Sequence, residues 1–200
     1  RDLGVGAGQA GPYEQAMAVL DKNIHVGAKG DIVYKDVLYE VKAEDGRIGP
    51  SEYPGRDKML KVVHKATRDI IKLHGSETDF PGVNKYFTGK GITYDSIFTF
   101  KQQYINPILD SNPTAGLDFI SSIVNTLYGN NPGGQPIINA FVKFDDYTSF
   151  IHVVIRQLFN MYKSEKAGGA GAWDILLGIN AKNGLAVIQT ADDLIPQIGG

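Results

Sequence analysis

The stretch Gly30–Lys42, GDIVYKDVLYEVK, decides how the chain folds. A tight turn centred on Lys35 and Asp36 sets Tyr34 against Val37, Val33 against Leu38, Ile32 against Tyr39 and Asp31 against Glu40. Directly opposed residues of an antiparallel pair have Cβ atoms about 4.5–5.5 Å apart and share a face. Side chains alternate along a strand, so Lys42 joins that face two residues beyond Glu40. One face then carries Asp31, Val33, Leu38, Glu40 and Lys42, and the other carries Ile32, Tyr34, Val37, Tyr39, Val41 and Ala43. Both faces are largely apolar, the pattern of strands covered by helices on both sides. The expected class is α/β, a central mixed β-sheet flanked by helices.

Two carboxylates facing one another across such a sheet repel, and neither is cheaply desolvated. A hard divalent cation removes both penalties, because magnesium takes oxygen ligands and enters through one or two carboxylates together with substrate phosphates. The ammonium of Lys42 beside them is suited to orienting a water or offsetting a developing anion. Glu40-Val41-Lys42 is the only Asp/Glu-x-Lys triplet in the chain. A plain surface hairpin is the alternative, since Lys-Asp is not the Asn-Gly or Asp-Gly pair that two-residue turns favour.

Two hundred residues with 42% hydrophobic content allow one domain with a full core and a sizeable insertion. A charged fraction of 21% and a net charge of −2 give no global basic field, so nucleic-acid binding would need a local cationic face. The absence of cysteine excludes disulfide frameworks, thiolate zinc sites and cysteine nucleophiles. It fits a reducing, cytoplasmic setting. No apolar run reaches the roughly 20 residues of a membrane span, and no signal peptide is visible, so no membrane partner is expected.

Gly6 to Gly11 formally matches GxGxxG, but only Arg1, Asp2 and Leu3 stand between the chain start and its leading glycines, too few for the strand a dinucleotide loop requires. Pro12 suits a first helical position, and Tyr13, Ala16, Met17 and Leu20 follow at helical spacing, predicting a helix over about 12–22. Its early acid, Glu14, fits either a partner of the helix dipole or a further metal ligand. Residues 22–27 have room for a short strand. Glu44 shares the Glu40 face if the second strand runs that far, and fits a solvated turn equally.

Arg56 to Leu73 is the longest amphipathic helix in prospect. Lys58, Lys61, Lys65, Arg68 and Lys72 recur on one stripe, with Met59, Val62, Val63, Ala66, Ile70 and Leu73 opposite. Such a stripe suits a phosphate backbone, whose counterions it would replace, and suits a solvated helix exterior as well. A loop is expected over residues 74–95, with Lys85, Tyr86, Lys90 and Tyr94 available for phosphate or base contacts. Helices should follow from about Ser96 to Pro107 and from Pro113 to Tyr128. Asn130 to Pro136, NNPGGQP, reads as a linker, so residues 50–136 are expected to form a helical insertion lobe within a single domain. Ile137 to Phe144 is ambiguous between strand and helix. Tyr147 to Ser164 is a helix capped by Asp145-Asp146, with Phe150, Ile151, Val154, Ile155, Leu158 and Phe159 inward, and two strands follow at 174–180 and 185–190. His25, His64, His74 and His152 show no metal-ligand spacing.

Asp31 on one strand, Glu40-Val41-Lys42 on the next and an upstream helix bearing Glu14, followed by a later helix and strand, resemble the signature of the PD-(D/E)xK nuclease superfamily. Gly30 stands where that family usually has proline. The resemblance covers residues 12–46 and, more loosely, 145–190. It implies a restriction-endonuclease-like fold and a Mg²⁺-dependent DNA endonuclease, with Mn²⁺ as substitute ion. On that resemblance Asp31 and Glu40 would bind the metal with the Val41 carbonyl, Glu14 would support the site, and Lys42 would position or activate the attacking water. Arg156 or Gln157 would approach from the later helix, and the insertion would supply DNA contacts, a homodimer interface or both. The alternative is a non-catalytic nucleic-acid-binding or assembly module that keeps the nuclease fold.

Overall fold

The structure is a computed structural model, and it describes residues 24–26, 32–43, 56–76, 78, 80, 86–87, 92–129, 131–165, 173–180 and 184–198. Glu14, Asp31, Glu44, Lys85, Lys90 and the helix expected over 12–22 lie outside them. The chain divides into two compact units, one of Arg1–Ser51 with Leu158–Gly200 and one of Glu52–Gln157.

The first unit is a five-stranded mixed sheet in the order β1-β2-β3-β4-β5, built from β1 (Ile24–Val26), β2 (Ile32–Tyr34), β3 (Val37–Ala43), β4 (Ile175–Asn180) and β5 (Gly184–Ile188). β1, β2 and β3 form an antiparallel meander, β3 and β4 run parallel, and β5 returns antiparallel. The β2–β3 register is Ile32↔Tyr39, Val33↔Leu38 and Tyr34↔Val37, as the hydrophobic pattern demands. Lys35 and Asp36 both take left-handed backbone, at φ 49° and 64°. A two-residue hairpin turn requires this, and residues with a Cβ adopt it only at a cost. The apolar pairs on either side hold the turn there, and the Lys35 ammonium lies 5.0 Å from the Tyr34 ring centroid.

Val41 and Ile32 are buried with Leu177 on one face of the sheet, among Tyr39, Ile175 and Ile179. The other face carries Glu40, whose parallel neighbour is Leu176. Asp174 clasps the mouth of this parallel pair: its carboxylate accepts from the Leu38 amide at 2.9 Å, and its own amide donates to the Leu38 carbonyl at 2.8 Å.

The second unit is helical. It holds α1 (Arg56–His74), α2 (Tyr94–Phe100) continuing through a π turn (Lys101–Ile105) and a 3-10 turn (Asn106–Ile108), α3 (Ala115–Tyr128), α4 (Gly134–Lys143) and the start of α5 (Tyr147–Glu165). Met59, Val63, Ala66 and Ile70 of α1 are buried, as are Phe119, Ile120 and Ile123 of α3 and Ile137 and Phe141 of α4. Phenylalanines join these layers, with Phe98 stacked on Phe150 at 5.2 Å and Phe100 on Phe119 at 4.8 Å. Thr93 and Ser96 cap α2 reciprocally, and the Asp146 carboxylate accepts from the Ser149 amide at 2.7 Å to start α5.

The elements differ from the sequence expectations at several places. The expected linker at 130–136 is already helical from Gly134, and the ambiguous segment after it is α4. A Cβ on Gly134 would stand 3.0 Å from Val124 Cγ1, so this glycine marks a close helix contact. Tyr86 and Tyr94 are buried, not surface ligands; Tyr94 shares a 2.6 Å hydroxyl contact with Tyr128. Leu73, expected inward, is 65% exposed because α1 ends there. A further helix, α6 (Ala191–Ile198), was not expected at all.

Candidate functional site

The described part of the site begins on β3. Alternation points Glu40 and Lys42 to one face and Val41 to the other, where Val41 joins the apolar layer. Glu40 is completely buried, and Lys42 retains 23% of its side-chain exposure. The Lys42 ammonium stands 2.6 Å from Glu40 Oε1. A third group converges on the same oxygen: the hydroxyl of Tyr162, near the end of α5, donates to Glu40 Oε1. The ammonium also lies 5.5 Å from the centroid of the Tyr162 ring, a cation-π distance.

Behind this triad stands Trp173, buried, with its ring 5.9 Å from Tyr162 and 5.2 Å from Phe159. Lys163 closes the outer side at 5.2 Å from the indole. A fully buried carboxylate without partners would be strongly disfavoured. The shared oxygen answers that penalty with one charged and one neutral donor, of which the charge-assisted bond is the stronger. Chemically the arrangement is a buried carboxylate fixed by a phenol hydroxyl and by an ammonium that keeps access to solvent.

Of the residues proposed from sequence for this centre, the structure brings together Glu40 and Lys42. Val41 lies between them on β3, and its side chain belongs to the opposite face. Asp31 and Glu14 lie outside the described residues. Among the described residues, no group of three or more Asp, Glu, His or Cys side chains is placed to hold a metal ion. Arg156 or Gln157 is expected from sequence to approach the site; Arg156 is exposed, Gln157 is half-buried, and both fall in the helical unit. The same helix reaches Glu40 through Tyr162, which continues the inward i, i+3, i+4 pattern of Ile151, Val154, Ile155, Leu158 and Phe159. That periodicity was a signal for burial, but not for a polar partner 122 residues away in sequence.

The cationic stripe forms as expected on α1, with Lys58, Lys61, Lys65, Arg68 and Lys72 all exposed. Lys65 is engaged by Asp69 one turn on, at 2.6 Å. His74 and Lys101 of the helical unit are internal ties. His74 Nε2 meets Asp118 Oδ2 at 2.8 Å, joining the end of α1 to α3. Lys101, only 2% exposed, donates to the Phe144 carbonyl at 2.6 Å and lies 5.3 Å and 5.5 Å from the Phe98 and Phe141 rings. Burial pushes its ammonium below the usual lysine range, and Asp145 at 3.5 Å pulls the other way.

No helix among the described residues is long and apolar enough to cross a membrane. Comparison with protein-family models, with curated proteins and with solved structures finds no match to the chain.

Proposed function

We propose that the chain is a metal-dependent DNA endonuclease that hydrolyses phosphodiester bonds at the Glu40–Lys42 strand. The observation that carries this reading is the pairing on β3 of a wholly buried carboxylate with a lysine that reaches solvent, 2.6 Å apart. Packing alone gives no reason for such a pair, because apolar residues of similar volume at a buried ion pair are often as stable or more so. The strand order supports the finer fold reading. An antiparallel meander, a helical segment and then a strand parallel to β3 follow the sequence of elements that the restriction-endonuclease-like resemblance implies.

The donor chemistry fits a hard ion, since Glu40 offers carboxylate oxygen and the further acids proposed beside it, Asp31 and Glu14, are of the same kind. Mg²⁺, or Mn²⁺ in its place, would polarise a phosphodiester oxygen and stabilise the leaving oxygen. Glu40 would hold the ion with Asp31 and the Val41 carbonyl, and Glu14 would support the site. Lys42 would orient the attacking water and offset the charge developing on the phosphate. The exposed cations of α1 would replace counterions of the DNA backbone.

The test is incubation of plasmid and linear DNA with Mg²⁺ or Mn²⁺, with wild type beside Lys42→Ala. Cleavage by wild type and its loss in the variant are expected; equal nicking by both, or none with any divalent ion, refutes the proposal. One observation favours a second reading, a non-catalytic nucleic-acid-binding or assembly module. Glu40 Oε1 is already shared by two donors, as in a purely structural polar network. Strong, salt-sensitive DNA binding without cleavage would select that reading.

A further inference from the structure

We infer that Tyr162 is a positioning residue for the Glu40–Lys42 centre, holding the carboxylate so that the lysine can leave it. The inference rests on the nuclease reading above. It starts from the sharing of a single oxygen, Glu40 Oε1, by the Lys42 ammonium and the Tyr162 hydroxyl.

For Lys42 to work on a water or on a phosphate, its ammonium must loosen its hold on Glu40. A carboxylate with no solvent exposure resists that loss, because it stays behind, buried, with one charged donor fewer. The phenol hydroxyl is a neutral donor that remains when the ammonium moves, so it lowers the cost of the movement. Its placement suits the task. Tyr162 is 4% exposed, sits on α5 and packs against Trp173, which in turn meets Phe159 edge-on at 5.2 Å. A side chain with few rotamers, held by a helix and an aromatic wall, keeps the carboxylate in one orientation. Of the two charged partners Lys42 is the one with solvent access, and the Tyr162 ring lies 5.5 Å from its ammonium.

A residue that acts this way affects the chemical step more than DNA binding. Tyr162→Phe keeps the ring and its packing and removes only the donor. In plasmid cleavage assays below the melting transition it should lower kcat about 10- to 100-fold, the usual effect of removing a group that orients a metal ligand, with KM for DNA unchanged. Mn²⁺ titration calorimetry should show weaker binding by a similar factor. Leu194→Ala, which opens a cavity at a buried position of α6, should lose thermal stability while keeping kcat. Should Tyr162→Phe fail to fold, 3-fluorotyrosine at position 162 keeps both ring and hydroxyl while changing donor strength, and should alter kcat at constant KM. A Tyr162→Phe protein, or failing that a fluorotyrosine protein, with wild-type kcat and Mn²⁺ affinity overturns the inference alone. A wild-type protein that neither cleaves DNA nor binds Mn²⁺ overturns the nuclease reading and this inference with it.

Discussion

Removing Lys42 should destabilise the sheet unit before any question of activity arises. Breaking a fully buried ion pair by deleting one partner costs about 3–5 kcal/mol, whereas an exposed pair is worth about 0–1 kcal/mol. Glu40 is completely buried and Lys42 is 23% exposed, so the pair lies between these limits, and the Tyr162 hydroxyl still serves the carboxylate after the lysine is gone. Lys42→Met, which preserves the aliphatic stem, should therefore cost about 2 kcal/mol. Glu40→Gln should cost about 1–2 kcal/mol, since the amide oxygen still accepts while the lysine turns to water. The double variant should lose less than the sum, with a coupling energy of about 1–2 kcal/mol. Trp173, the chain's single tryptophan, lies in the same unit and 5.9 Å from the Tyr162 ring, so its fluorescence follows the relevant transition in urea. With a slope of about 2 kcal/mol per molar urea, Lys42→Met should lower the midpoint by about 1 M. A shift under about 0.2 M, together with additive single and double variants, would show that the pair is not formed in solution and would refute the reasoning.

Lys101→Met should change the pH dependence of stability in the helical unit. The lysine's folded-state pKa lies below its unfolded value, so wild type gains stability relative to the variant as pH rises through that lowered pKa toward the ordinary ammonium range. Urea unfolding followed by far-ultraviolet circular dichroism at pH 7 and about pH 10 tests it, and a constant difference between the two proteins would count against it. For DNA binding, Lys58→Ala, Lys61→Ala, Arg68→Ala and Lys72→Ala should each reduce the slope of log affinity against log salt by about 0.9; Lys65→Ala should reduce it less, because Asp69 already holds that ammonium. Fluorescence anisotropy over a salt series reads the slopes, and five equal reductions would remove the special place of Lys65. Asp193 accepts from the Thr190 and Gln189 amides, which hold its carboxyl below the usual range, so its cap on α6 should persist at neutral pH and be lost as pH falls through that lowered value. Amide protection factors across residues 191–198, which remove the intrinsic slowing of exchange in acid, should fall as pH drops for wild type and be low at all pH values for Asp193→Ala.

The parts of the fold legible in sequence are those in which local pattern and tertiary demand agree. Alternation around Lys35-Asp36 determined the hairpin register even though the turn residues are unusual for left-handed backbone, because a one-residue slip would have exposed Ile32 and Val41. The cationic stripe of α1 followed from a clean 3.6-residue period. Residues 130–136 misled because glycine and proline are turn formers in general. Here Gly134 meets Val124 across a close helix contact, and Pro136 occupies a first-turn position whose amide needs no partner. α6 carries Pro196 as a discouragement and had one overlooked signal, the capping pattern Thr190-x-x-Asp193. Of the site, the strand pair was legible and Tyr162 was not, since a hydrogen bond between residues 40 and 162 leaves no mark in either segment.

The parallel ladder of β3 and β4 also governs the order of assembly during synthesis. Tyr39 pairs with Ile175, so the sheet cannot close until the whole helical segment has left the ribosome. Until then the hairpin is a short ribbon with an open edge, and Glu40 lacks both Leu176 beside it and Tyr162 above it. Contacts this distant in sequence slow folding and expose apolar strand edges on the way. Nascent chains that stop short of β4 should therefore present β3 to chaperones as a sticky edge, and the Glu40–Lys42 centre should be among the last features of the molecule to form.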